Sequence, residues 1–150
     1  MENKEEVKIE YHSNGNKMSE EHYKNGLRNG VCIRWYDNGN KESEYHYKDG
    51  DQHGLSIQWY SDGVKESERQ YKYGEPFGTW REWHEDGSRK YEEHYKNGKL
   101  HGIARGWYDK RKNENKNYDD IYEDGELIRT VYYDPPPAYW NRKVKKKSQR

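Results

Sequence analysis

A period of 24 residues runs through this chain and decides what it can fold into. Trp35, Trp59, Trp83 and Trp107 are spaced by 24, and Tyr11 stands one period earlier. Gly15, Gly39, Gly63 and Gly87 keep the same spacing, as do Tyr23, Tyr47, Tyr71 and Tyr95. So do Gly26, Gly50, Gly74 and Gly98, and then Gly30, Gly54, Gly78 and Gly102. Five columns in one register define a repeat array, in which each unit leans on its neighbours because none buries enough alone. The units are residues 7–30, 31–54, 55–78 and 79–102. A fifth, 103–129, keeps Trp107 and "YEDGEL" but carries about three extra residues near "KRKNENKNY", with Arg111 where the turn glycine belongs. A capping strand is expected at 130–134. Residues 1–6 form an N-terminal extension, and 135–150 a separate tail.

Within a unit, "VCIRWYDNGNKESEYHYKDG" holds two short runs of aromatic and β-branched residues. Between them stands "DNGN", and "DG" follows. Asn-Gly and Asp-Gly tolerate the positive φ of tight hairpin turns. Val31, Ile33 and Trp35 alternate with Cys32, Arg34 and Tyr36, so the two sets face opposite sides. Each unit therefore reads as a β-hairpin, and successive hairpins pair edge to edge. The closing glycine of each unit allows a bulge or a close backbone approach at the join. The predicted fold is all-β: an elongated, single-layer antiparallel sheet of consecutive hairpins, with no helix.

Composition fits this picture. Leu, Ile, Val and Phe make up about a tenth of the 150 residues, below the roughly 20% associated with disorder. Yet the chain holds 16 Tyr and 6 Trp, and its 28 basic and 28 acidic residues cancel. Tyr and Trp bury a large area while keeping a polar tip wet, so they can build a thin core. One cysteine, Cys32, excludes a disulfide framework. The opening "MENKEEVKIE" has no apolar core of a signal peptide, and no stretch reaches membrane-span length. A soluble cytoplasmic protein is expected.

The unit Trp35-Tyr36-x-Asn38-Gly39, then Tyr47-Lys48-Asp49-Gly50 and closing Gly54, resembles the MORN repeat. It is most similar to the variant type of bacterial YwqK-family antitoxin-like proteins and of large DNA virus MORN proteins. The resemblance covers residues 7–129. It implies a curved ribbon of antiparallel hairpins without enzymatic activity, used as a scaffold or binding surface. Lipid binding is proposed for the wider family, but no residue-level motif carries it or the antitoxin label onto this chain. If the chain is viral or eukaryotic, a virion or nuclear location joins the cytoplasm as an expectation.

Several columns invite a chemical reading. His22, His46 and His94 share one, with Gln70 between them. Equivalent residues of successive hairpins lie two strands apart, roughly 9–10 Å, too far for one zinc ion. Structural histidines are expected, and no metal or cofactor. Glu20, Glu44, Glu68 and Glu92 stand among Lys41, Lys65, Arg89 and Lys90. Cross-strand ion pairs on a wet face explain them better than a paired-carboxylate active site. Cys32 shares its column with Ser56, Trp80 and Ala104, which suits a packed small side chain. No phosphate loop, nucleophile elbow or zinc-protease helix is present. Almost every chemically interesting residue recurs every 24 positions, whereas an active site is asymmetric. Catalysis is not expected.

Two features remain as binding candidates. The first is aromatic: Trp35, Trp59, Trp83 and Trp107 on one side, Tyr36, Tyr60 and Tyr108 on the other. Either one row is core and the other an exposed hot-spot surface, or both only pack along the sheet. The second is the tail, "PPPAYWNRKVKKKSQR", with six basic residues and no acid. Tyr139, Trp140, Arg142, Lys143, Lys145, Lys146, Lys147 and Arg150 could meet an anionic partner, or the stretch could be a solvated end or fold back on its acidic body. The expected function is a scaffold that binds another protein. The alternatives are peripheral binding to anionic lipid, a nucleic-acid-associated or viral structural role through the tail, and antitoxin-like neutralisation of a toxin. The open sheet edges also allow oligomerisation.

Overall fold

Two kinds of turn alternate along the chain, and their residues dictate both. In the first, the Gly39 N–H donates to the Tyr36 carbonyl at 3.0 Å and the Tyr36 N–H to the Asn40 carbonyl at 2.9 Å. Gly39 sits at φ +87°, but Asn38 keeps an ordinary negative φ. This is a three-residue loop closed by a left-handed glycine, not a two-residue Asn-Gly turn. Asn38 does different work: its Oδ1 accepts from the Asn40 N–H at 2.9 Å. In the second kind, Asp49 and Gly50 both have positive φ, +52° and +96°, and Lys48 pairs directly with Asp51. That is the two-residue type I′ hairpin, and Asn25, Asn97 and Asp124 fill the same first position. Tyr73 is the exception there, at φ +50°.

The computed structural model describes residues 4–107, 117–133 and 144–146. Its strands are β1 (Glu5–Tyr11), β2 (Lys17–Lys24), β3 (Leu27–Arg28), β4 (Gly30–Trp35), β5 (Lys41–Lys48), β6 (Asp51–Trp59) and β7 (Lys65–Lys72). Then follow β8 (Glu75–Trp83), β9 (Arg89–Lys96), β10 (Lys99–Leu100), β11 (Gly102–Gly106), β12 (Asn117–Glu123), β13 (Glu126–Tyr133) and β14 (Val144–Lys146). All join one open sheet in the order β1-β2-β4-β5-β6-β7-β8-β9-β11-β12-β13-β14, with β3 on β2 and β10 on β9. Neighbours are antiparallel throughout, as the hairpin reading requires. Strand spacing makes the ribbon roughly 50 Å long.

Each of the first four hairpins carries one extra residue beside its first turn. Arg34 pairs with Ser43 but Trp35 with Lys41, which leaves Glu42 as a bulge. Met18, Glu66 and Lys90 bulge in the same way. The bulge turns the lysine onto the face of the glutamate three residues on, so Lys41 Nζ meets Glu44 at 2.6 Å. For Lys41 and Lys65 the expected cross-strand pairing is thereby corrected to a bond along one strand, because the bulge resets the alternation, whereas Lys90 pairs across strands with Glu82 at 3.3 Å and Glu92 with Arg81 at 2.9 Å.

Direct pairing places one row across the whole ribbon on a single face: Ile9, Glu20, Ile33, Glu44, Ile57, Glu68, Arg81, Glu92, Arg105 and Asp119. The tryptophan column lies on this side, the tryptophan face. The neighbouring row, with Ser19, Arg34, Ser43, Gln58, Ser67 and Glu82, lies on the other side. Tyr45, Tyr47 and Tyr71 share that tyrosine face. Each closing glycine pairs with the next tyrosine of the column: Gly30 with Tyr47, Gly54 with Tyr71, Gly78 with Tyr95. Gly54 sits at φ +107°, and a Cβ there would stand 3.4 Å from His46 Cβ. The recurring Tyr-x-x-Gly-x-x-x-Gly phrase is therefore architecture.

Among the described residues the sheet has no second layer. Among the described residues the only buried apolar side chain is Cys32, at 5% exposure. The other buried ones are Ser19, Ser43, Ser56, Ser67 and Asp119. Stability comes from half-buried aromatic rings and from the ladder itself.

Candidate functional site

On the tryptophan face every indole lies under a cation from the preceding unit. Lys17 covers Trp35 at 5.2 Å, Lys41 covers Trp59 at 5.7 Å, Lys65 covers Trp83 at 5.4 Å and Arg89 covers Trp107 at 5.6 Å from ring centroid. The lysines are fixed in turn by Glu20, Glu44 and Glu68 at 2.6–2.7 Å. Hydrogen bonds from Lys17 and His22 hold the Glu20 carboxyl below its usual range. Further along, the row becomes an ion-pair ladder, with Arg81 Nε 2.9 Å from Glu92 and Arg105 Nε 2.6 Å from Asp119.

The backbone of the tryptophan column is spoken for as well. Tyr36 donates its hydroxyl to the Trp59 carbonyl at 2.8 Å, and Tyr60 to that of Trp83 at 2.9 Å. His12 reaches the Trp35 carbonyl at 2.8 Å. Trp35, Trp59, Trp83, Trp107, Tyr36 and Tyr60 are all half-buried. Their polar atoms and ring faces tie one unit to the next. Tyr108 lies outside the described residues.

The histidines also bond to backbone. His46 Nδ1 donates to the Leu55 carbonyl at 2.7 Å and His94 Nδ1 to that of Ile103 at 2.9 Å, while His22 Nε2 meets Glu20 at 3.0 Å. Each occupies one join between strands. Cys32 is buried on the tyrosine face, where burial pushes its thiol pKa up, away from nucleophilic use.

The tyrosine face differs in kind. Trp80 stacks between Tyr71 and Tyr95, with ring centroids 5.0 and 4.5 Å away. Its Nε1–H donates to the Gln70 carbonyl at 2.8 Å, and the Arg69 guanidinium lies 5.4 Å over the ring. Arg69 is itself held by Glu82 at 2.6 Å. Burial works to raise the Glu82 carboxyl, but Arg69 and Lys90 outweigh it and keep it below the usual range. Elsewhere this face is open. One hollow of about 300 Å³ surrounds Cys32 and Tyr45, and another of about 340 Å³ surrounds Ser56, Tyr47 and Tyr71. At the floor of the second, Ser56 Oγ and Arg69 Nε are buried without a hydrogen-bond partner. Buried polar atoms normally find partners, so this unpaired pair beneath the hollow stands out, although neither atom has surface open to it. Dimples lined by tyrosine, arginine and small residues suit recognition rather than bond-breaking.

Of the tail residues, Lys145 and Lys146 fall in β14, which pairs antiparallel with β13. Tyr139, Trp140, Arg142, Lys143, Lys147 and Arg150 lie outside the described residues. Sequence reasoning passed over Ser56, Arg69 and Trp80 as site residues. The available signal was the change of size along the Cys32, Ser56, Trp80, Ala104 column, which matters once that column is known to floor the open face.

A family model for the MORN repeat variant matches residues 7–25, 28–49, 52–73 and 78–97, each match covering most of one 24-residue period. Comparison with curated proteins finds no significant match.

Proposed function

This chain belongs to the MORN repeat variant family, and on that premise we propose that it is a non-enzymatic scaffold that binds another protein on its tyrosine face. One observation carries this reading. Lys17, Lys41 and Lys65 cover the tryptophan rings, whereas the tyrosine face, apart from Arg28 over Tyr47 and Arg69 over Trp80, keeps hollows, tyrosine rings and two unpaired buried polar atoms. Tyr and Arg dominate interaction hot spots because they combine area with directed polar contacts at low entropic cost. The aromatic surface expected from the sequence is thus assigned to Tyr45, Tyr47 and Tyr71 ahead of the tryptophan column. The basic stretch after Asp134 is a second contact for an anionic partner, whether protein, lipid or nucleic acid.

Affinity capture with the full chain, and with a version ending at Asp134, tests both parts. A protein partner held by both forms at physiological salt supports the ribbon as the binding surface. Partners lost with the tail, and released steeply as salt rises, would make the basic stretch the binding element and overturn the ribbon reading.

A further inference from the structure

We infer that the hollow over Ser56 receives the indole ring of a tryptophan carried by the partner protein. This rests on the proposed protein-binding role and names the group it recognises. The repeat supplies its own model of the complex. Position 80 is the equivalent of position 56 one period later, and there the chain fills the space itself. Trp80 lies between Tyr71 and Tyr95, under Arg69, with its Nε1–H bonded to a carbonyl. One unit earlier the flanking pair is Tyr47 and Tyr71, and the residue between them is Ser56, which has no ring.

The neighbouring unit shows what distinguishes this hollow from the one of about 300 Å³ over Cys32. Over Cys32, Arg28 reaches in from its own strand, 5.4 Å above the Tyr47 ring, and is held by Glu21 at 2.9 Å. The residue corresponding to Arg28 in the next unit is Gln52, which brings no charge to lay across Tyr71. The hollow of about 340 Å³, lined by Tyr45, Tyr47, Gln52, Arg69 and Tyr71 over Ser56, thus has a neutral amide where its neighbour has a guanidinium over the tyrosine ring.

The unpaired atoms fit an indole within a peptide. Indole donates one hydrogen bond and accepts none, and the Ser56 hydroxyl, at 4% exposure and without a partner, can accept it once the side chains over it part to admit the ring. Arg69 already lays its guanidinium over Trp80 and also lines the hollow, so its plane can serve a ring on each side. Its charge is neutralised by Glu82, which disfavours a free anion. Its remaining Nε–H suits a neutral acceptor, such as the backbone carbonyl of the tryptophan that enters.

The test is a fluorine NMR titration of the full chain with N-acetyl-5-fluorotryptophanamide. Expected is saturable line broadening with a dissociation constant on the order of 1 mM, weakened at least about tenfold by Ser56→Trp, which fills the hollow as Trp80 does. Tyr47→Ala, which leaves the Trp80 stack intact, should weaken it similarly and covers the case that Ser56→Trp does not fold. No broadening up to about 10 mM, or equal binding by folded variants, would overturn the inference. So would equal binding of the capped 4-fluorophenylalanine amide, or tighter binding of free zwitterionic 5-fluorotryptophan, which would indicate a metabolite. If folded Ser56→Trp still retains a partner that the wild type captures, the hollow is not the docking point, while the ribbon reading survives. Failure of the wild type to hold any protein removes the ribbon reading, and the titration still decides the hollow.

Discussion

The Tyr36 hydroxyl donates to the carbonyl of Trp59 at 2.8 Å, linking residues 23 apart in the chain. Tyr60 repeats the bond to Trp83 at 2.9 Å, and His12 makes its counterpart to Trp35 at 2.8 Å. Each repeat thus holds its successor by a side chain on the backbone, where the geometry is fixed by the ladder. Tyr36→Phe and Tyr60→Phe should each cost about 1 kcal/mol, read as a melting temperature lower by about 2–4 °C. Unchanged melting in both variants would mean that water replaces the bond without loss.

Trp59 lies half-buried under Lys41. Trp59→Ala should therefore cost about 2 kcal/mol, less than the roughly 3–5 of a fully buried aromatic. Lys41→Met should cost under about 1 kcal/mol, since its pairing with Glu44 is at the surface. Denaturant titration reads both. A near-zero cost for Trp59→Ala together with lost binding would move the interaction surface to the tryptophan face.

The first turns are bound to one another unequally. Asn14 and Asn16 both donate to the Asp37 carbonyl at 2.7 and 2.8 Å, and Asn38 and Asn40 both to that of Ser61 at 2.8 Å. The next turn carries Asp62 and Val64, which have no amide to offer. Asp62→Asn with Val64→Asn should add the missing bonds to the fourth unit and raise stability by about 1 kcal/mol. A drop in melting temperature would show that this join is set by other contacts.

Much of the fold is legible from period and turn chemistry alone. Twenty-four-residue columns give the number of hairpins, and Asp49-Gly50 or Asn97-Gly98 give the type I′ turns. The bulges at Met18, Glu42, Glu66 and Lys90 are not legible, because a single extra residue leaves the period intact while it resets which side chains share a face. That reset is what brings Lys41 beside Glu44. The candidate site was hidden for a related reason. Alternation separates Trp35 from Arg34 correctly, but which face is covered depends on cations arriving from the preceding unit. Counting aromatics leaves both columns as candidates, whereas the structure lays Lys17, Lys41 and Lys65 over the indoles. The open face is revealed by what is small, Cys32 and Ser56, more than by what is large.

Alkaline pH should unfold the array. Burial raises the phenol pKa values of Tyr36, Tyr60, Tyr71, Tyr95 and Tyr122, and for Tyr95 the bond to Glu93 adds to it. A folded pKa above the unfolded one gives stability that is complete below the ordinary tyrosine value of about 10 and is lost as pH rises through the folded values. Tyrosinate absorbance should therefore lag behind that of free tyrosine, then rise together with loss of β-sheet circular dichroism. Titration of these residues at the free-tyrosine value, with the sheet intact, would contradict the burial assigned to them.

The most direct test of the tyrosine face is hydroxyl-radical footprinting of the full chain, alone and bound to its captured partner. Tyrosine and tryptophan both react, so the two faces report in one experiment. The account predicts protection of Tyr45, Tyr47 and Tyr71 on binding, with Trp35, Trp59 and Trp83 modified as in the free chain. Protection of the tryptophans, with the three tyrosines unchanged, would contradict it.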